Sequence, residues 1–166
     1  MSPRLTGGCQ CGAVRFSVAG PLGRASLCHC RMCQKAFAAP YAALVTAGED
    51  LVWVRGAPAY FQSSNLARRG FCAACGTPLT FEPEGGGVDL AILAFDDPSA
   101  IVPVIQHARW ARADWVDQAA DLPTREPGEA AAAAGWYAEI VSRQHPDHDT
   151  DRWPLPARDD AGPGAG

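Results

Sequence analysis

The chain has a single lysine, a low share of charged residues (19%) and no long apolar run. Lys35 is the only lysine among 166 residues, and the formal net charge is −4 at pH 7. An acidic chain has no electrostatic reason to bind nucleic acid or an anionic membrane, so we expect neither as a partner. The sequence contains no run of about 18 apolar residues, so no membrane span is predicted. The first residues lack the apolar core of a signal peptide. We therefore expect a cytoplasmic protein.

The apolar fraction is 48%, which is enough for a buried core. Short runs of alternating apolar and polar residues predict a mainly β fold. The candidate strands lie around residues 14–18, 41–46, 51–55, 59–63, 79–81, 88–95 and 101–105. A short helical turn is predicted from Cys30 to about Phe37.

The composition changes after Pro123, where an alanine-rich segment favours a helix. The sequence therefore predicts one domain over residues 1–123 and a C-terminal helix over residues 124–145. Residues 146–166 are rich in Asp, Pro, Gly and Ala, and we expect them to form a mobile tail.

Seven cysteines fall into three tight clusters. The clusters are Cys9 with Cys11, then Cys28, Cys30 and Cys33, and finally Cys72 with Cys75. An odd number of cysteines does not suit a disulfide framework, and thiolates this close in sequence can bind one zinc ion. Tetrahedral zinc would use four thiolates at a closed structural site and three at a site with an open position.

Spacing alone leaves the grouping of these cysteines open. One grouping joins Cys9, Cys11, Cys72 and Cys75, and leaves the 28–33 triplet to form the open site. The other joins the two C-x-x-C pairs, Cys30 with Cys33 and Cys72 with Cys75, and leaves Cys9, Cys11 and Cys28. Loop entropy favours the first, because the triplet closes locally. A third possibility is a single structural zinc with three ordinary buried cysteines.

Three further residues stand beside the triplet in sequence. If the segment is extended, His29 points away from Cys28 and Cys30, so we expect it to support the site by hydrogen bonding or to be a surface histidine, and not to bind the ion. Arg31 and Lys35 are candidate substrate contacts, because a fourth thiolate at the open site would need nearby cations.

The cysteine motifs resemble those of the glutathione-dependent formaldehyde-activating enzyme family, which includes the centromere protein V-type zinc domain. The matching segments are Gly8-Cys9-Gln10-Cys11-Gly12, the stretch from Cys28 to Lys35, and the stretch from Phe71 to Thr77. The resemblance runs from about residue 7 to about residue 123.

The resemblance implies a β-tent-like fold stapled by zinc, with two Zn²⁺ per chain. It implies that Cys9, Cys11, Cys72 and Cys75 bind the structural ion and that Cys28, Cys30 and Cys33 bind the catalytic one. The implied activity is a carbon–sulfur lyase that interconverts S-hydroxymethylglutathione with glutathione and formaldehyde. The alternative is a non-catalytic, zinc-stabilised binding module. Phe37 stands where smaller residues are expected, so a related thiol could replace glutathione.

Overall fold

The protein, described here by a computed structural model, is mainly β, as predicted. The structure describes residues 4–48 and 50–154. The strands in this part of the chain are β1 (Leu5–Gly8), β2 (Arg15–Val18), β3 (Ala25–Cys28), β4 (Ala42–Thr46), β5 (Val52–Arg55), β6 (Ala59–Ser64), β7 (Ala67–Phe71), β8 (Pro78–Pro83), β9 (Asp89–Ala91) and β10 (Ile105–His107). The two α-helices are α1 (Arg31–Phe37) and α2 (Pro127–Ala138).

The strands form two sheets. The smaller has the order β1-β2-β5, and the larger has the order β10-β3-β4-β9-β8-β7-β6. All pairings are antiparallel except that of β10 with β3. Gly7 forms a bridge to Phe95, which joins the small sheet to the segment after β9. Residues that are far apart in the sequence therefore hold the two sheets together.

The core lies between the sheets and is built around Phe16 of β2. Its ring is fully buried and meets Phe95 and Trp53 edge-on, at centroid distances of 5.0 and 5.9 Å. Leu79 and Leu90 are also fully buried. Burying such side chains contributes about 1.5–3 kcal/mol each. This core fixes the strands that carry the cysteines.

Two predicted strands are shorter or displaced. The run at 88–95 forms a strand only over Asp89–Ala91 and then a 3₁₀ turn over Ile92–Ala94. The run at 101–105 is mostly irregular, and β10 begins at Ile105. Because both runs are apolar apart from Asp89, periodicity could not locate where the strands end.

The C-terminal region differs from its predicted boundaries. Helix α2 covers Pro127–Ala138, not residues 124–145, and two 3₁₀ helices over Arg109–Ala111 and Asp114–Asp121 precede it. No helix of the described residues is long and apolar enough to cross a membrane. The division into a domain, a helix and a mobile tail stays a prediction, and residues 155–166 lie outside the described part of the chain.

Residues 145–153, which we name the C-terminal segment, lie against the loop that carries Cys9 and Cys11. The backbone N–H of His145 donates to the Gln10 carbonyl at 2.7 Å. The indole N–H of Trp153 donates to the Cys11 carbonyl at 2.8 Å. His145 is buried, and its ring fills the space where a Cβ on Gly12 would be. These contacts hold the segment in the described structure.

Candidate metal centres

Four cysteine sulfurs, two from the loop after β1 and two from the turn between β7 and β8, meet in one cluster, which we name the four-cysteine site: Cys9, Cys11, Cys72 and Cys75. These sulfur atoms lie within 4.8 Å of one another. The Cys11 sulfur is 3.6 Å from that of Cys9 and 3.9 Å from that of Cys72. Sulfurs bound tetrahedrally to zinc at about 2.3 Å would stand about 3.8 Å apart. The four-cysteine site therefore fits one tetrahedral ion.

Both halves of this site are tight turns that need glycine. Gly12 and Gly76 adopt φ of +77° and +78°, a left-handed conformation that glycine tolerates and other residues adopt at a cost. The N–H of Gly12 donates to the Cys9 carbonyl at 3.0 Å, and that of Gly76 donates to the Cys72 carbonyl at 2.8 Å. Each turn directs its pair of sulfurs towards the other pair.

Hydrogen-bond donors around the four-cysteine site act on its sulfurs. The backbone N–H of Val14 donates to the Cys9 sulfur at 3.2 Å. Burial raises the pKa of three of the thiols, those of Cys9, Cys11 and Cys72, whereas the pKa of Cys75 is lowered. Its burial is outweighed by hydrogen bonds from Thr77, whose hydroxyl oxygen is 3.1 Å away, so the pKa of Cys75 falls to about 6. Lowered thiol pKa values favour metal binding, because the thiolate is the ligand.

The second cluster, the triplet site, is built where β3 passes into α1. Cys28 ends β3, Cys30 caps α1 and Cys33 lies in its first turn, and their sulfurs lie within 4.8 Å of one another. The backbone N–H of Cys33 donates to the Cys30 sulfur at 3.4 Å. Within residues 4–48 and 50–154, no further Cys, His, Asp or Glu donor completes this group. Three protein sulfurs with no fourth protein donor among these residues match the ligand count of an open zinc site.

His29 does not join the triplet site, in agreement with its expected orientation. It is buried, its ring meets that of Tyr41 edge-on at 5.4 Å, and its Nε2 lies 3.0 Å from the Gln106 side-chain oxygen. Since Gln106 belongs to β10, this pair also links β10 to the cysteine loop. His29 therefore supports the loop and is not one of the donors that converge in the triplet site.

One charged residue at the triplet site was missed by the sequence analysis. Arg69 of β7 is buried, and its Nη2 donates to the Cys33 sulfur at 3.3 Å. Burial raises the pKa of Cys33 to about 12, and Arg69 acts against that rise. At Cys30 burial also raises the pKa, but hydrogen bonds led by the Cys33 N–H bring it below its ordinary value.

The predicted substrate contacts, Arg31 and Lys35, lie on the exposed side of α1. Neither donates a hydrogen bond to a sulfur of the triplet, and Arg31 instead donates to the Gln34 side chain at 3.0 Å. Both residues line a groove of about 430 Å³ with Trp115. The side-chain amide of Gln34 donates to the Ala111 carbonyl at 2.9 Å, which holds the far wall of this groove against α1.

A separate apolar cavity of about 310 Å³ lies on the other face of β4. Tyr41 and Ala43 line it, whereas Ala42 packs with the triplet cysteines. Successive residues of a strand face opposite sides of a sheet, so the strand separates this cavity from the triplet sulfurs. Phe37 contacts both, since it lines the cavity and packs beside the cysteines.

Both cysteine clusters lie within the part of the chain that matches a known protein family. The family profile described as glutathione-dependent formaldehyde-activating enzyme matches residues 4–112, which include all seven cysteines and Arg69. The crystal structure of a Rhodobacter sphaeroides protein is similar at 25% sequence identity and a TM-score of 0.50, covering 61% of this chain and 98% of that one. No curated protein matches the chain. From the extent of the family match, the chain belongs to the glutathione-dependent formaldehyde-activating enzyme family.

Proposed function

We propose that the protein is a zinc-dependent carbon–sulfur lyase acting on S-hydroxymethylglutathione or a related thiol adduct. The observation that carries the proposal is the triplet site, where three sulfurs converge and no fourth protein donor of the described residues joins them. The family match supports glutathione and formaldehyde as the substrate class. The proposed partners are therefore a small thiol and an aldehyde.

In the proposed reaction the carbon–sulfur bond of the adduct breaks and its electron pair stays on sulfur. The adduct hydroxyl loses its proton as the carbonyl of formaldehyde forms, and the proton passes to solvent or to the released thiolate. Zinc, when bound, supplies a Lewis-acid position that favours the thiolate form of the substrate sulfur. The reverse reaction gains from holding thiol and aldehyde together.

The chain's own residues have distinct proposed roles. Cys28, Cys30 and Cys33 would hold the catalytic ion, and the four-cysteine site would hold the structural one, giving two Zn²⁺ per chain. Arg31 and Lys35 would attract the carboxylates of glutathione into the groove beside Trp115, since both are exposed there. A cytoplasmic location is proposed because free thiol ligands persist in a reducing compartment.

Exchange NMR on glutathione and formaldehyde tests the proposal. Zinc-loaded protein should speed exchange between free and hydroxymethylated thiol, and Cys30→Ser should abolish the acceleration. In the same assay Lys35→Ala should raise the glutathione concentration needed for half-maximal exchange, by about two- to fivefold for an exposed charge.

Absence of acceleration by the wild type would contradict the lyase. It would then favour the alternative, a non-catalytic zinc-stabilised binding module. Equal acceleration by the wild type and by Cys30→Ser would place the activity away from the triplet site.

A further inference from the structure

Arg69 is a buried cation without a carboxylate partner. Its side chain has only 7% of its surface exposed, and within the described residues no Asp or Glu forms an ion pair with it. Burying an unpaired charge is costly, so a buried arginine needs an anion close by. The atoms next to Arg69 that can carry negative charge are those of the triplet site, beginning with the Cys33 sulfur at 3.3 Å.

Three contacts fix the orientation of the guanidinium group. Its Nε donates to the Ser63 hydroxyl at 3.0 Å, its Nη2 donates to Cys33, and its Cζ lies 4.9 Å from the centre of the Phe81 ring. The side chain of Phe81 itself packs against the triplet cluster. Arg69 is thus held at the site from three directions, which lowers the entropy cost of further hydrogen bonds.

One donor of this oriented group is unused. Nη1 of Arg69 is buried and has no hydrogen-bond partner among the described residues. A buried N–H donor left unpaired costs about 1–3 kcal/mol, so such groups in native proteins normally have a ligand or water as partner. Nη1 shares its carbon with Nη2, and Nη2 already contacts the triplet, so Nη1 lies at the edge of the same site.

The charge of the triplet site gives Nη1 a role. Three thiolates around a divalent ion leave one net negative charge, and a thiolate substrate would add a second. Resting on the proposed function, we propose that Arg69 compensates this second charge: Nη2 holds the Cys33 sulfur and Nη1 donates to the anionic sulfur of the substrate. Arg69 thereby selects an anionic thiolate over a neutral ligand at the fourth position.

Three other cationic side chains, unlike that of Arg69, are exposed and donate no hydrogen bond to a sulfur of the triplet site. Arg68 is exposed on the opposite face of β7, where it pairs with Glu82. Arg31 and Lys35 are exposed on α1, where water screens their charge. Arg68→Gln therefore makes the same change of charge one residue away and serves as the matched control.

Cobalt-loaded protein provides the test, because its visible spectrum reports a new ligand at the ion. The wild type, Arg69→Gln, Arg69→Lys and Arg68→Gln would each be titrated with 2-mercaptoethanol, which binds as a thiolate, and with imidazole, which binds as a neutral ligand. Only the open site can accept either probe. We expect Arg69→Gln to weaken thiol binding at least about tenfold, as for a lost hydrogen bond to a charged group, and to change imidazole binding less than about twofold.

Each outcome bears on a separate claim. Arg69→Lys should fall between the wild type and Arg69→Gln, since it keeps the charge and loses the paired donors, and Arg68→Gln should match the wild type. Equal weakening of both probes in Arg69→Gln would indicate that Arg69 has a purely structural role. Unchanged thiol binding in Arg69→Gln would indicate that Arg69 has no role in thiol binding. Either result would overturn the inference about Arg69 and leave the proposed function standing. If the wild-type triplet accepts no thiol, the proposed function fails as well.

Discussion

At the residue scale, Arg15 is a second buried cation, and its partners are carboxylates. It pairs with Asp96 at 2.6 Å and with Asp149 of the C-terminal segment at 2.7 Å. Burial alone would raise the pKa of Asp96, but hydrogen bonds from Arg15 and Thr6 outweigh it and bring that pKa below its ordinary value. This carboxylate therefore stabilises the fold through its ionised form.

Asp96→Asn should lower the free energy of unfolding by about 1–3 kcal/mol near pH 7. Because the folded pKa of Asp96 is lowered, its contribution is complete above the ordinary carboxyl pKa of about 3.9 and is lost as the pH falls through the lowered value. The difference between the wild type and Asp96→Asn should therefore shrink below about pH 4. Urea unfolding of the two proteins at several pH values measures it, with the zinc content of both determined at each pH because acid protonates the cysteine ligands. A difference that is independent of pH would contradict the assignment.

The cation at the triplet site was not predicted from the sequence. Arg31 and Lys35 were chosen because they are close to the cysteines along the chain, whereas Arg69 reaches Cys33 only through the larger sheet. The segment Ala67–Phe71 did not show a strand pattern, because it contains two arginines and a glycine. A usable signal was present: Ala67, Arg69 and Phe71 share one face of a strand that ends immediately before Cys72.

The cysteine grouping was more accessible to sequence reasoning. The structure brings together the sulfurs of the first grouping, which the low loop entropy of the local triplet had favoured. The orientation of His29 was also expected from the alternation of residues along an extended segment.

At the scale of elements, local sequence patterns describe least well the chain from helix α2 to the C-terminal segment. Helix α2 ends at Ala138, although helix-compatible residues continue beyond it. Seven residues later His145 is bound to the Gln10 carbonyl, so the intervening chain crosses the surface to reach the cysteine loop. Tertiary contacts of this kind override helix propensity, and they cannot be seen in a local pattern.

The C-terminal segment should slow the loss of zinc from the four-cysteine site. Trp153→Phe keeps an aromatic ring but removes the N–H that donates to the Cys11 carbonyl. One such hydrogen bond contributes about 1 kcal/mol, so we expect loss of zinc to a chelator to accelerate by about fivefold. Trp136→Phe is the matched control, because Trp136 is exposed on α2.

This measurement is best made in a Cys30→Ser background, where the four-cysteine site alone should retain zinc. Equal rates for Trp153→Phe and Trp136→Phe would show that the segment does not protect the site.

At the scale of the whole molecule, the two clusters differ in the number of their sulfurs and in how far apart along the chain those sulfurs lie. The four-cysteine site joins the beginning of the chain to the turn between β7 and β8, so binding an ion there closes a long loop and stabilises the fold. The triplet site is local and has three sulfurs, and Arg69 from a different strand adds positive charge beside it. We therefore propose that the first site stabilises the fold and that the second carries out the thiol chemistry.

The most direct test of this assignment is zinc K-edge X-ray absorption on the fully zinc-loaded protein, with and without saturating glutathione. We predict that glutathione raises the average number of sulfur neighbours per zinc in the wild type. We predict no rise in Cys30→Ser, whose remaining site is already closed by four sulfurs. An unchanged sulfur count in the wild type would contradict the proposed thiol chemistry, because it would mean that no thiol enters the triplet site.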